Sequence, residues 1–183
     1  MGLSPAMTGS SAMPMAVRGN SAARRHGAAP SAAPPVVAAG RPTQQQGGFD
    51  LTTGYAADQN AAFRKYMEDE HVTVPDFADK RGSLYCGVYD GHGGRLAVEF
   101  VQKNLHAAVE REMRSAPAGE PPHEAIKRGF LKTDRLLLQC GAIQVGTTVA
   151  VCLCMPRPGG ALDLLVANAG DSRVVLVSDD GAK

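Results

Sequence analysis

The apolar period of the chain changes at one point, Asp90-Gly91-His92-Gly93-Gly94, and that switch limits what the sequence can fold into. Before it, Leu84, Cys86 and Val88 alternate with Tyr85, Gly87 and Tyr89, the two-residue period of a strand ending at Asp90. After it, Val98, Val101, Leu105 and Val109 recur at steps of three and four, which predicts a helix from about Arg95 to Arg114 with its apolar stripe on a core. A strand must therefore pass through a glycine-rich turn directly into a helix. An Asp-Gly pair alone reads as a turn in which Asp90 caps the helix. With His92 and two further glycines attached, the close-approaching backbone favours a binding role.

The remaining elements follow from the same periods. Pro117, Gly119, Pro121 and Pro122 stop the first helix, and a second runs from about His123 to Gln139 with Ile126, Phe130, Thr133 and Leu137 on one face. Val145 to Met155, Leu162 to Ala167 and Arg173 to Val177 read as strands, with turns at Pro156 to Gly160 and Asn168 to Asp171. A short strand is expected from His71 to Val74. Strands, two helices and then hairpin-linked strands suggest an α+β layered domain, not a parallel βαβ fold.

Composition divides the chain at about residue 48. Residues 1–48 are built from Ala, Pro, Ser, Gly and Gln, carry Arg18, Arg24, Arg25 and Arg41, and contain no acid. Such a segment cannot bury enough apolar surface to offset its ordering entropy, so it reads as a disordered tail, and 49–183 as the folded part. A mitochondrial transit peptide is the minor alternative, disfavoured because the tail's prolines break an amphipathic helix. Gly2 lacks the Ser or Thr at position six that myristoylation wants, since Ala6 stands there. Taking these four arginines from the 19 basic residues leaves 15 against 18 acidic ones, so the folded part is mildly acidic and no nucleic-acid binder is expected. Cys86, Cys140, Cys152 and Cys154 show neither zinc spacing nor a disulfide framework, which points to a reducing, cytoplasmic or nuclear setting. No apolar run is long enough for stable membrane insertion.

Upstream of the turn lies Arg64-Lys65-Tyr66-Met67-Glu68-Asp69-Glu70-His71. Taken alone it is a solvated, charged edge leading into a strand. In an extended segment, however, Glu68 and Asp69 point to opposite faces, so one carboxylate can enter a site while the other supports it, and Arg64 shares the parity of Glu68. Carboxylate oxygens suit hard cations, and a guanidinium fork suits phosphate oxygens. Cys86 lacks an Arg-containing phosphate loop behind it and is discounted as a nucleophile.

Arg64-x-x-Met67-Glu68-Asp69, Val88-Tyr89-Asp90-Gly91-His92-Gly93-Gly94, Gly146-Thr147-Thr148 and Asn168-Ala169-Gly170-Asp171-Ser172-Arg173, in that order, resemble the leading motifs of the metal-dependent protein phosphatase 2C family over roughly Thr53 to Val177. The resemblance implies a layered α-β-β-α sandwich of antiparallel sheets flanked by helices, monomeric when complete. It implies removal of phosphate from phosphoserine and phosphothreonine proteins by a metal-activated water. Two Mn2+ or Mg2+ ions would serve a complete site. By this resemblance Asp90 bridges the metals, Gly91 adds its backbone carbonyl, and Glu68 serves the cluster with Asp69 behind it. Arg64 binds the substrate phosphate and His92 acts as general acid. Asp171 matches an aspartate that helps hold a third ion in some members, and Thr148 is either near the metals or an ordinary strand residue.

Family members continue past the Gly-Asp-Ser-Arg turn and supply two late aspartates. Asp179-Asp180-Gly181 does not substitute for them, so a truncated, impaired phosphatase is expected. The alternative is a non-catalytic, phosphatase-like interaction module. A signalling module acting through the basic tail rests on four arginines alone.

Overall fold

The computed structural model describes residues 51–178, with the backbone of Ala38–Ala39 and Gly181–Ala182 besides. The rest of the expected tail, and Asp179 and Asp180, lie outside the described residues. In chain order the elements are β1 (Ala38–Ala39), β2 (Gly54–Tyr55), β3 (Asp69–Pro75), β4 (Leu84–His92), α1 (Arg95–Ser115), α2 (Pro122–Gln139), β5 (Gly146–Thr147), β6 (Val149–Pro156), β7 (Leu162–Ala169), β8 (Val177–Ser178) and β9 (Gly181–Ala182). The main sheet runs β3-β4-β6-β7, wholly antiparallel, and β5 pairs with the far end of β4. The α+β class holds: an antiparallel sheet with two helices packed on it. One sheet and one helical layer of the expected sandwich are described.

Parity sets the two faces of the sheet. Tyr85 and Tyr89 of β4, with Val149, Val151, Leu153 and Met155 of β6, form one core with Val98, Val101, Leu105 and Val109 of α1. Burying each such aliphatic side chain contributes roughly 1.5–3 kcal/mol. The tyrosine hydroxyls, enclosed beneath the helix, bond to each other at 3.1 Å. Cys86, Cys152 and Cys154 therefore occupy the face turned away from the helices, where Cys86 opposes Cys152. Burial pushes the Cys86 thiol up to about 11, in keeping with an inert sulfur.

The helices meet closely. A side chain at Gly129 of α2 would reach within 2.8 Å of Val109 Cα, so only glycine lets the two backbones approach there. Pro122 opens α2 at a position where its missing N–H costs nothing. No helix among the described residues is long and apolar enough to cross a membrane.

Two sequence expectations are corrected. The strand expected over Val145 to Met155 is broken at Thr148, between β5 and β6, because the end of β4 takes Thr148 into a hydrogen bond of its own. Arg173 to Val177 is not a continuous strand: residues 172–175 have no ladder partner among the described residues, Leu176 forms a single bridge, and Val177–Ser178 pairs with Gly181–Ala182. After Gly170, at φ 92°, the chain turns so that the Ser172 hydroxyl meets that of Thr148 instead of running beside β7. Alternation can announce a strand, but a ladder needs a neighbour.

Candidate functional site

Three elements converge where β4 gives way to α1. β3 and β4 pair with Asp69 directly opposite Asp90, on the face away from the helices. The register therefore sets the two carboxylates on the same side of the strand pair. The Asp69 carboxyl is raised above the ordinary carboxylate range, by partial burial first and then by the charge and hydrogen bond of Asp90, while Arg64 pulls it down and Glu68 pushes it up. Asp69 as a residue is exposed, and the strand register independently sets the Asp90 carboxylate opposite it. Like charges directly opposite in a sheet are destabilising unless something positive lies between them.

Glu68 takes a different direction from Asp69. Its Oε1 accepts a hydrogen bond from the Gly94 N–H at 2.7 Å, at the N-terminal end of α1, and its carbonyl accepts from the Gly91 N–H at 3.1 Å. A side chain at Gly91 would come within 2.5 Å of the Glu68 carbonyl and 2.9 Å of Val98 Cβ, so glycine is what allows β4 to pass between β3 and α1. Gly93 and Gly94, at φ 76° and 134°, then turn the chain into the helix.

His92 lies two residues beyond Asp90, on the same side of the strand, exposed and opposite Gly146. A side chain at Gly146 would reach within 2.6 Å of His92 Nε2, so the imidazole lies over that glycine. Thr148, whose role the sequence left open, donates its N–H to the Asp90 carbonyl at 2.8 Å. Its hydroxyl lies 3.4 Å from the Asp90 N–H and bonds the Ser172 hydroxyl. It is thus the link between the Asp90 strand and the turn carrying Asp171, which is exposed.

Arg64 is not on the extended strand that the parity with Glu68 assumed. It closes a turn, with its N–H on the Asn60 carbonyl at 3.1 Å, and the strand starts only at Asp69. Its guanidinium nonetheless acts on the Asp69 carboxylate. The sequence reading missed Arg95, which donates to the Met67 carbonyl and to Glu70, and to Glu99 at 2.8 Å. It also missed Gln102, which reaches Glu70 at 2.9 Å. The available signal was a cation at the first position of a helix, where the dipole disfavours one.

Among the described residues, no three His, Cys, Asp or Glu side chains come together closely enough to hold a metal ion. The Asp69–Asp90 pair supplies two hard oxygen donors, a type that suits a divalent cation of the magnesium or manganese kind. A cavity of ≈ 240 Å³ between α1, α2 and the sheet, lined by Leu105, Phe130 and Leu137, is apolar and separate from these carboxylates.

The sequence model of the family described as protein phosphatase 2C matches residues 53–183. The chain belongs to that family. It is 36% identical over 123 residues to "Probable protein phosphatase 2C 14" of Arabidopsis thaliana, covering 67% of this chain and 26% of the relative. It is 42% identical to "Probable protein phosphatase 2C 8" of the same plant, over 70% of this chain and 37% of that one. Against "Protein phosphatase 2C homolog 1" of Saccharomyces cerevisiae it is 32% identical, over 70% and 50%. This phosphatase 2C chain thus spans between about a quarter and a half of the length of these relatives. Among solved structures, a serine-threonine phosphatase 2C from Toxoplasma gondii matches with a TM-score of 0.48 and 21% identity, over 66% of this chain and 44% of that one.

Proposed function

We propose that the protein hydrolyses phosphate monoesters on serine and threonine side chains of other proteins, using Mn2+ or Mg2+. The observation that carries the proposal is the cross-strand opposition of Asp69 and Asp90 beside the Arg64 guanidinium, in a chain of this family. Asp90, Asp69 and Glu68 are the residues that would hold the cations, with the Gly91 carbonyl beside them and Asp171 toward a third ion. Divalent cations, when bound, supply Lewis acidity toward water and the phosphoryl oxygens. Arg64 would grip a phosphate oxygen with its planar fork, in an exposed turn that a protein substrate can reach. His92, exposed on the same face as Asp90, would pass a proton to the departing serine or threonine oxygen. The free thiols of Cys86, Cys140, Cys152 and Cys154 support a cytoplasmic or nuclear setting.

The test is release of phosphate from a phosphothreonine peptide and from p-nitrophenyl phosphate, with and without Mn2+, by the wild type and by Asp90→Asn. We expect the variant to lose the Mn2+-dependent turnover; full retention of it would overturn the assignment. His92→Gln should impair the alkyl ester more than the aryl one, whose leaving group needs no proton.

A second reading is a phosphatase-like module that binds partners without catalysis. It is favoured by one observation: among the described residues no three His, Cys, Asp or Glu side chains come together closely enough to hold a metal ion. Mn2+ binding with no turnover on any phosphoester would select it.

A further inference from the structure

We infer that Arg95 is a positioning residue that fixes which way the Glu68–Asp69 pair faces, an inference that rests on reading that pair as part of a cation site. By local rules Arg95 is misplaced. It opens α1, where the helix dipole is positive, and the first turn of α1 contains no acid. Its charge is satisfied instead by groups mostly outside the helix.

The three donor positions of its guanidinium divide between two elements. Nε holds Glu99, one turn along α1, at 2.8 Å. Nη1 donates to the carbonyl of Met67, and Nη2 donates to the carboxylate of Glu70. Gln102, two turns along α1, reinforces the second grip by donating to Glu70 Oε2 at 2.9 Å and to the His71 carbonyl at 3.1 Å. The residues held by α1 are therefore Met67 on one side of Glu68–Asp69, and Glu70 and His71 on the other.

The consequence lies in parity. Successive strand side chains point to opposite faces, so drawing Glu70 toward α1 turns Asp69 to the other face, where Asp90 is its register partner. A slip of one residue would turn Asp69 into the helix and Glu70 out to Asp90's side. Glu68, fixed on the Gly94 N–H, cannot follow such a slip without losing that bond. A lysine in place of Arg95 carries its three donors on one nitrogen and cannot span the carbonyl, Glu70 and Glu99, which the fork meets from three separate atoms. The fork geometry, more than the charge, is what the position requires.

Amide hydrogen exchange and Mn2+ titration on the 183-residue chain test this, comparing the wild type with Arg95→Gln, Arg95→Lys and Glu70→Gln. We expect Arg95→Gln to speed exchange about tenfold at residues 68–71 and at Gly91, whose amide bonds the Glu68 carbonyl, while amides of α2 and β6 keep their protection. Its Mn2+ affinity should fall about tenfold, with Arg95→Lys in between and Glu70→Gln following Arg95→Gln. Wild-type exchange at 68–71 in Arg95→Gln would overturn the inference. So would a uniform rise that includes α2 and β6, since Arg95 would then serve general stability. Should Arg95→Gln not fold, Glu70→Gln decides alone by the same criteria. A wild-type chain that takes up no Mn2+, with the local exchange change still present in Arg95→Gln, would overturn the cation reading and leave the clamp standing.

Discussion

The two ends of α1 gather carboxylates in opposite ways. Near its C-terminal end Glu112 is 4% exposed and held by Arg128 at 2.9 Å and by Lys132, while Arg128 forks onto Glu120 with two bonds of 2.7 Å. At its N-terminal end Asp69 and Asp90 face each other across a strand pair. The first carboxylate is held below its ordinary range, by Lys132 and then by Arg128; the second is raised, by burial and then by its neighbour's charge. An acid surrounded by cations joins α1 to α2 and asks for nothing more. Two acids pressed together leave a deficit of positive charge that a divalent cation would meet. Within one molecule, then, the carboxylates that join the helices and those proposed to hold cations differ by whether folding itself supplies their counter-charge.

That contrast can be broken or sharpened by substitution. The largest effect is expected from Asp69→Asn, which should weaken Mn2+ binding by more than about a hundredfold while leaving the metal-free melting temperature unchanged or raised, since it removes a repulsion. Calorimetric titration and thermal melting of one preparation read both, and a clear fall in metal-free stability would erase the distinction between the two sites. Next, Glu112→Ala should cost about 1–3 kcal/mol in urea unfolding and leave Mn2+ affinity alone, because it strands the donors of Arg128 and Lys132.

A smaller effect concerns pH. A depressed acid stabilises the fold above its unfolded pKa, about 4.3 for Glu, and the contribution is lost as pH falls through the lower folded value. The wild type should therefore lose more stability than Glu112→Gln on going from about pH 5 to pH 3. Parallel acid-unfolding curves for the two would contradict this. Smallest of all, Asp163→Ala, which removes the exposed partner of Arg157 in the β6–β7 hairpin, should shift stability by less than about 0.5 kcal/mol. A larger loss would show that surface pairs here behave like the Glu112 cluster.

The elements of the fold were legible where a period runs long enough. The stripe of Val98, Val101, Leu105 and Val109 announced α1, and those residues are buried. The alternation from Leu84 announced β4, but not that its tyrosine parity would face the helices; both parities carry apolar residues, and only packing chooses between them. Gly87 marks the choice, since a side chain there would reach within 2.3 Å of the Tyr89 hydroxyl. The strand expected at Arg173 to Val177 failed over residues 173–175, which have no ladder partner among the described residues. In the candidate site, Asp90, His92 and the Met67-Glu68-Asp69 run stood out by type and spacing. Arg95, Gln102 and the bond between Ser172 and Thr148 did not, because the partners are distant in sequence: 28 residues separate Arg95 from the Met67 carbonyl, and 24 separate Ser172 from Thr148.

The sequence alone determined the kinds of group available, acids, an imidazole, guanidinia and permissive glycines, and the order in which strand and helix deliver them, because both are local properties of the chain. Whether Asp69 or Glu68 would face Asp90 was decided only in the tertiary structure. Strand register and side-chain parity depend on contacts between segments that are adjacent in space and far apart in sequence, and no local preference encodes them.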